Sequence, residues 1–180
     1  MPSVQQLTLI ALLCICSTVN AADWPQFRGP SGNATASDSD PPTTWSDSEN
    51  IVWKTALPGR GASSPIVSGK HVFLTAYTGF GVDAQEPGDK ANLRLHVLCF
   101  ERNSGKLLWD KSIKASPSTQ KLSQRIADHG YATATPATDG EAVYASFGVS
   151  GVVACDMDGN LLWQAAIGDG TAGFGSAASP

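Results

Sequence analysis

Charge is scarce in this sequence. Lys, Arg, Asp and Glu make up 16% of the 180 residues, with a net charge of −4, where an average globular chain carries ~25%. No run of basic residues occurs, which excludes an electrostatic nucleic-acid surface. No apolar stretch reaches the ~18 residues of a membrane-spanning helix. The three histidines, His71, His96 and His129, stand far apart, without the His-x-x-x-His or carboxylate spacing of a metal site. Gly-x-Ser-x-Gly is absent, and no Ser/His/Asp arrangement can be read from spacing. Glycine, by contrast, is abundant at 18 residues, and 42% of the chain is hydrophobic. That balance fits one domain of ordinary size built from short strands and tight turns.

Residues 1–22 contain no Asp, Glu, Lys or Arg. A largely apolar run from Leu7 to Val19 is followed by Ala21, Ala22 and the first charge at Asp23. The pattern predicts a signal peptide over 1–22, cleaved near Ala22, and hence a periplasmic or secreted protein. A buried N-terminal helix or strand is the alternative, since Met1–Gln6 lacks the usual Lys or Arg. Cys14 and Cys16 fall in this segment, preceded by Leu13 and Ile15 instead of a small residue, so no lipid anchor is expected. Cys99 and Cys155 remain, as a disulfide or as two buried free thiols.

The strongest signal is internal repetition. Ser64-Pro65-Ile66-Val67-Ser68-Gly69-Lys70-His71-Val72-Phe73 matches Thr135-Pro136-Ala137-Thr138-Asp139-Gly140-Glu141-Ala142-Val143-Tyr144. Gly105-Lys106-Leu107-Leu108-Trp109 matches Gly159-Asn160-Leu161-Leu162-Trp163. Ile51-Val52-Trp53-Lys54 repeats the Trp ending, and Ser179-Pro180 repeats the beginning. Within each unit the apolar period is two, with β-branched and aromatic runs after Ser-Gly or Asp-Gly turns. The first unit reads as strands A (63–67), B (71–77), C (94–101) and D (106–113). The second reads A (133–138), B (142–148), C (151–156) and D (160–167). Such four-stranded meanders are blades of a β-propeller. Aligning the units puts Cys99 opposite Ala154 and Cys155 opposite Phe100. The two thiols then belong to opposite sheet faces of neighbouring blades, badly placed for a bridge.

Trp24-Pro25-Gln26-Phe27-Arg28-Gly29-Pro30, Trp45, Ile51-Val52-Trp53-Lys54, Pro58-Gly59-Arg60-Gly61 and Ser63-Ser64-Pro65 together resemble the opening of bacterial PQQ-like (quinoprotein-type) β-propeller repeat proteins. Residues 104–109 and Tyr131–Gly148 resemble the same family's blades. The resemblance implies an all-β fold, a β-propeller of four-stranded antiparallel blades with about two blades present and the ring incomplete. Residues 23–50 would be a lead-in and 51–180 the partial repeat region. Because propellers need ~4–8 blades, the chain is expected to be a fragment of a longer protein; assembly from several copies is the alternative. PQQ and calcium enter only as what the resemblance implies, since many members bind no quinone and no cofactor is evident in the residues. The adjacent Cys-Cys of quinoprotein dehydrogenases does not occur. The expected function is a binding or scaffold module for a protein, peptide or carbohydrate. Part of a PQQ-dependent alcohol or sugar dehydrogenase is the alternative, and no catalytic residue is named for it.

Several motifs reduce to fold. Gly168–Gly173 is a formal G-x-G-x-x-G, but Phe174–Pro180 behind it opens a strand, not the helix that a dinucleotide site needs. Asp156-Met157-Asp158-Gly159-Asn160 reads as a hairpin turn, since a calcium loop's bidentate Glu would fall at Ile167. Trp109 and Trp163 hold equivalent repeat positions and read as blade packing. A meander puts its A–B and C–D turns on one face and its B–C and D–A connections on the other. The long connections Thr78–Leu93 and Lys114–Ala132 therefore project from one face, where binding residues concentrate. Asp83, Glu86, Asp89, Arg94, Arg125, His129 and Tyr131 are the polar candidates there, with solvated decoration as the alternative.

Overall fold

The computed structural model describes residues 22–36, 40–122, 130–168 and 178–180. The expected signal peptide, apart from Ala22, lies outside the described residues, as do Arg125 and His129. The period-two runs form eight strands: β1 (Ile66–Ser68), β2 (His71–Thr78), β3 (Arg94–Glu101), β4 (Leu107–Lys114), β5 (Ala137–Thr138), β6 (Ala142–Ser146), β7 (Val152–Asp156) and β8 (Leu161–Ala165). They make two antiparallel meanders in the orders β1-β2-β3-β4 and β5-β6-β7-β8, two blades of an incomplete propeller. Among the described residues there is no α-helix, and no helix is long and apolar enough to cross a membrane.

Register carries the sequence repeat into space. Ile66, Phe73, Cys99 and Trp109 stand side by side across the first sheet. Ala137, Tyr144, Ala154 and Trp163 do the same across the second. Even the irregularity in the third strand recurs, after Cys99 and after Ala154. The sheets meet in a single core, where Phe73, Tyr77, Leu95, Val97 and Ile113 of the first pack with Val143, Ala145 and Val153 of the second. Each Phe, Leu, Val or Ile among them contributes about 1.5–3 kcal/mol when fully buried.

Cys99 and Cys155 are free and buried, on opposite faces of their equivalent sheets as the alignment had them. Opposite faces are the ones that meet when equivalent sheets stack. Cys99 shares its face with Phe73 and Cys155 shares its face with Val143, so both turn into the seam. Burial pushes the Cys99 thiol up to about 12. It also raises Cys155, against the lowering effect of the Lys111 ammonium. Both are therefore inert thiols at neutral pH.

The two ends of the seam are built differently. At the β1 and β5 side the backbones bond directly, Ala62 N donating to Ala132 O at 2.9 Å. Ser64 N donates to Thr135 Oγ1 at 3.1 Å, and Thr135 N in turn donates to Ser179 Oγ at 3.1 Å. The opening of a third repeat thus docks as the second does. At the β4 and β8 side an indole fills the gap. Trp109 Nε1 donates to Met157 O at 2.9 Å, and its ring lies on Gly159, where a Cβ would come within 2.7 Å. Trp53 repeats the arrangement one step earlier, donating to Arg102 O at 2.8 Å with its ring on Gly105. Residues 51–57 pair with no strand, yet Trp53 and Thr55, which donates to Gly105 O at 2.6 Å, fix them to the first sheet's C–D turn. Trp163, third in the series, is 45% exposed.

The turns are closed by carboxylates. Asp156 Oδ1 accepts from Asp158 N and Asn160 N, the hairpin turn expected there. Asp139 Oδ1 accepts from Glu141 N and Ala142 N, and its Oδ2 accepts from the Tyr144 hydroxyl at 2.7 Å. The Ala142 N–H, then the Tyr144 hydroxyl, hold this carboxyl down at about 2.

Two outcomes are expected. Trp109→Ala lowers unfolding stability by about 3 kcal/mol, and Gly159→Ala by about 2 kcal/mol, through a left-handed φ and the clash with Trp109, both read by urea denaturation. The depressed Asp139 pKa means that its contribution is present above the ordinary value of 3.8 and lost as pH falls towards about 2. The Ala142 amide resonance should titrate with a midpoint near the lower value, and Tyr144→Phe should move that midpoint up.

Candidate functional site

The long connections do converge on one face. The first leaves β2 at Thr78 and is cinched at its neck by Gly79, whose φ of +82° and contact with the Asn92 carbonyl leave no room for a Cβ. Within it Gly81 N donates to Pro87 O at 2.8 Å. The second connection returns to the first at two points. Lys90 Nζ donates to Leu122 O at 3.2 Å and stands 5.7 Å above the Phe80 ring. Tyr131 packs edge-on against Tyr77, with centroids 5.4 Å apart, and lies 6.1 Å from Phe80. Gly130 must be glycine here, since at φ +83° its Cβ would sit 2.9 Å from the Tyr77 ring.

Tyr131 is the centre of this cluster, so the alternative of solvated decoration does not hold for it. It is 8% exposed, belongs to the core between the sheets, and its hydroxyl is buried without a hydrogen-bond partner. Tyr77 beside it is satisfied, donating to Gly81 O at 3.3 Å. Burial raises the Tyr131 hydroxyl, and the neighbouring Tyr77 raises it further. Burial likewise raises Tyr77, partly offset by the Arg60 guanidinium. An unpaired buried hydroxyl costs about 1–3 kcal/mol, so the cluster holds one hydrogen bond in reserve.

The charged candidates build the loop around it. Asp89 Oδ1 accepts from Ala91 N at 2.8 Å and caps a 3₁₀ turn, Lys90–Asn92. Asp83 Oδ1 accepts from Gln85 N at 2.8 Å. Arg94 Nη1 donates to the carbonyls of Ala91 and Leu93, so its guanidinium closes the base of the insertion. Glu86 is exposed. Arg125 and His129 lie outside the described residues.

One polar arrangement escaped the reading of the sequence. His96, 7% exposed, shares a hydrogen bond with Thr78 Oγ1 at 2.8 Å through Nε2 and another with Asp110 Oδ1 at 2.7 Å through Nδ1. The three residues sit diagonally across β2, β3 and β4, and only the strand register brings them together. The order hydroxyl, imidazole, carboxylate is that of a nucleophile, base and orienting acid. Here the Gly59 backbone packs directly on Thr78, and the network cross-links three strands of one sheet. Among the described residues no group of three or more His, Cys, Asp or Glu is placed to hold a metal ion.

A family model described as outer membrane protein assembly factor BamB, of the PQQ type of repeat, matches residues 32–176. That stretch contains both sheets and both long connections. No curated protein matches the chain.

Tyr131→Phe keeps the ring contacts and removes the unpaired hydroxyl. It is expected to raise the stability of the unliganded chain by about 1 kcal/mol in urea denaturation, whereas a hydroxyl with a partner would give a loss.

Proposed function

The chain belongs to the BamB-like family of PQQ-type repeats, and from that premise we propose that it is a secreted or periplasmic binding or scaffold module whose insertion face receives its partner. The observation that supports this reading is the Tyr131 hydroxyl, buried and unpartnered where two separate connections pack together. Tyr77 on β2 anchors the cluster while Phe80 and Tyr131 lie on the connections, so a partner that parts the connections and brings a hydrogen-bonding group supplies the bond that the free cluster lacks. The family description names an assembly factor, which favours a protein or peptide partner over a carbohydrate. Loops displayed on a fixed scaffold suit that role, and the low charge leaves recognition to shape, aromatic contact and a few hydrogen bonds.

The test is binding of the full chain to peptide and glycan arrays, followed by titration of the hits. Saturable binding to a peptide or protein is expected, weakened about tenfold by Tyr131→Phe, the worth of one hydrogen bond. Unchanged affinity in that variant would move the site away from Tyr131. A UV-visible titration with PQQ and calcium tests the dehydrogenase reading: saturable uptake would overturn a purely scaffolding role.

A further inference from the structure

Residues Asp23 to Gly29 precede the stretch matched by the family model and lie at the opposite end of the blades from the insertion face. Trp24 pairs antiparallel with Val67 of β1; Trp24 N donates to Val67 O and Val67 N to Trp24 O, both at 2.9 Å. The very next residue crosses to the other blade, where Thr138 N of β5 donates to Pro25 O at 2.9 Å. Asp23 Oδ1 accepts from Gly69 N at 2.9 Å and lies 3.8 Å from Arg102 Nη1. Behind the strap the chain turns sharply. Gly29 N donates to Gln26 O, and Gln26 Nε2 returns a bond to Gly29 O. The Trp24 ring folds onto Gly29, where a Cβ would come within 2.7 Å. That turn holds Arg28 at φ +64°, a conformation that costs a non-glycine residue about 1–2 kcal/mol.

Two consecutive residues reach β1 and β5 because these edges converge at the narrow side of the wedge between the blades. Their free edges present three donors, Val67 N, Gly69 N and Thr138 N, and one acceptor, Val67 O. The strap answers each in order, with a carboxylate, then a residue giving both N–H and C=O, then a carbonyl. Proline suits the last position because no N–H is called for there.

We propose that the converged edges of β1 and β5 form a peptide-binding groove, which Asp23-Trp24-Pro25 occupies in cis as a displaceable strap. The partner that fits in trans is an extended peptide with an acidic residue two positions before a proline. Recognition is main-chain pairing at the two edges for affinity, with the carboxylate that meets Gly69 N and faces Arg102 for selection. The strap therefore covers the groove until such a segment competes for it.

Two measurements on the full chain decide the matter. In the unsubstituted chain the Val67, Gly69 and Thr138 amides are expected to exchange at least tenfold more slowly than unprotected amides, and Trp24→Gly should remove that protection while leaving β3 amides unchanged. Exchange at the unprotected rate before substitution would overturn the strap. A labelled nonapeptide of the sequence of residues 22–30 should then bind the Trp24→Gly chain saturably and restore the protection, and should bind the unsubstituted chain at least tenfold more weakly. Equal binding to both chains, binding by a scrambled peptide, or no binding to the folded variant would each overturn the groove.

Discussion

The indole of Trp109, laid on the bare Cα of Gly159, sets how far apart the two sheets stand at their outer edge. At the inner edge the spacing is set by direct backbone bonds such as that between Ala62 and Ala132. A seam held open by a nine-atom ring on one side and closed to hydrogen-bond length on the other is a wedge. Stacked wedges curve, and this taper turns a repeated meander into a propeller instead of a flat stack. The remaining contacts of the seam depend on it. Phe73, Val97 and Val143 interdigitate only at the spacing that the indole fixes, and the Ser64–Thr135–Ser179 series lines up only if each blade is rotated by the same step.

Local chemistry was read with little loss. Strands β2, β3 and β4 lie within a residue of the segments expected from period-two patterning, because each is bounded by a Gly-containing turn and carries its apolar residues on both faces. The pairing of Trp109 and Trp163 as equivalents, and the hairpin role of Asp156, also follow from residues close in sequence. The first strands of both units are shorter than the expected 63–67 and 133–138, since only Ile66–Ser68 and Ala137–Thr138 pair with a neighbour; the other losses are nonlocal. Tyr131 sits among polar loop residues, so nothing local marks it as core; its burial depends on the second connection folding back onto Tyr77 and Phe80. The His96 network could have been found by writing out the register, since the turns fix it and the diagonal then falls on Thr78 and Asp110. For the two cysteines the alignment assigned the faces and the unbridged state correctly, while which faces touch is a property of stacking. The bridge between Trp24 and Val67 has no sequence signal at all, because an isolated antiparallel bridge needs no period.

Scarce charge shapes what the charged residues do. Asp83, Asp89, Asp139 and Asp156 each spend a carboxylate oxygen on backbone N–H groups within a few residues. At Asp139 and Asp156 these bonds hold the carboxyl below its ordinary value and favour the ionised form, which leaves the two poorly suited to carry protons near neutrality. The polar groups that remain for recognition are accordingly few, which concentrates attention on an uncharged one, the Tyr131 hydroxyl.

A phenylalanine at position 131 would fill the same space, keep the contacts with Tyr77 and Phe80, and spare the cost of an unpaired hydroxyl. The tyrosine thus makes the unliganded cluster less stable than its shape allows, as expected where a binding group is held ready. At the other end of the same two blades Val67 N, Val67 O, Gly69 N and Thr138 N are answered by a strap that holds a left-handed arginine to turn back on itself. The two ends therefore differ in kind. One keeps a hydroxyl unanswered beneath the packed connections, so a partner for it has to part the covering residues first. The other is complete, so a partner there must first displace what is bound, and its affinity is reduced by the strap's own. On the two proposed readings, one end of the scaffold would gain a hydrogen bond when a partner parts its loops, and the other would be entered only in competition with the chain's own strap.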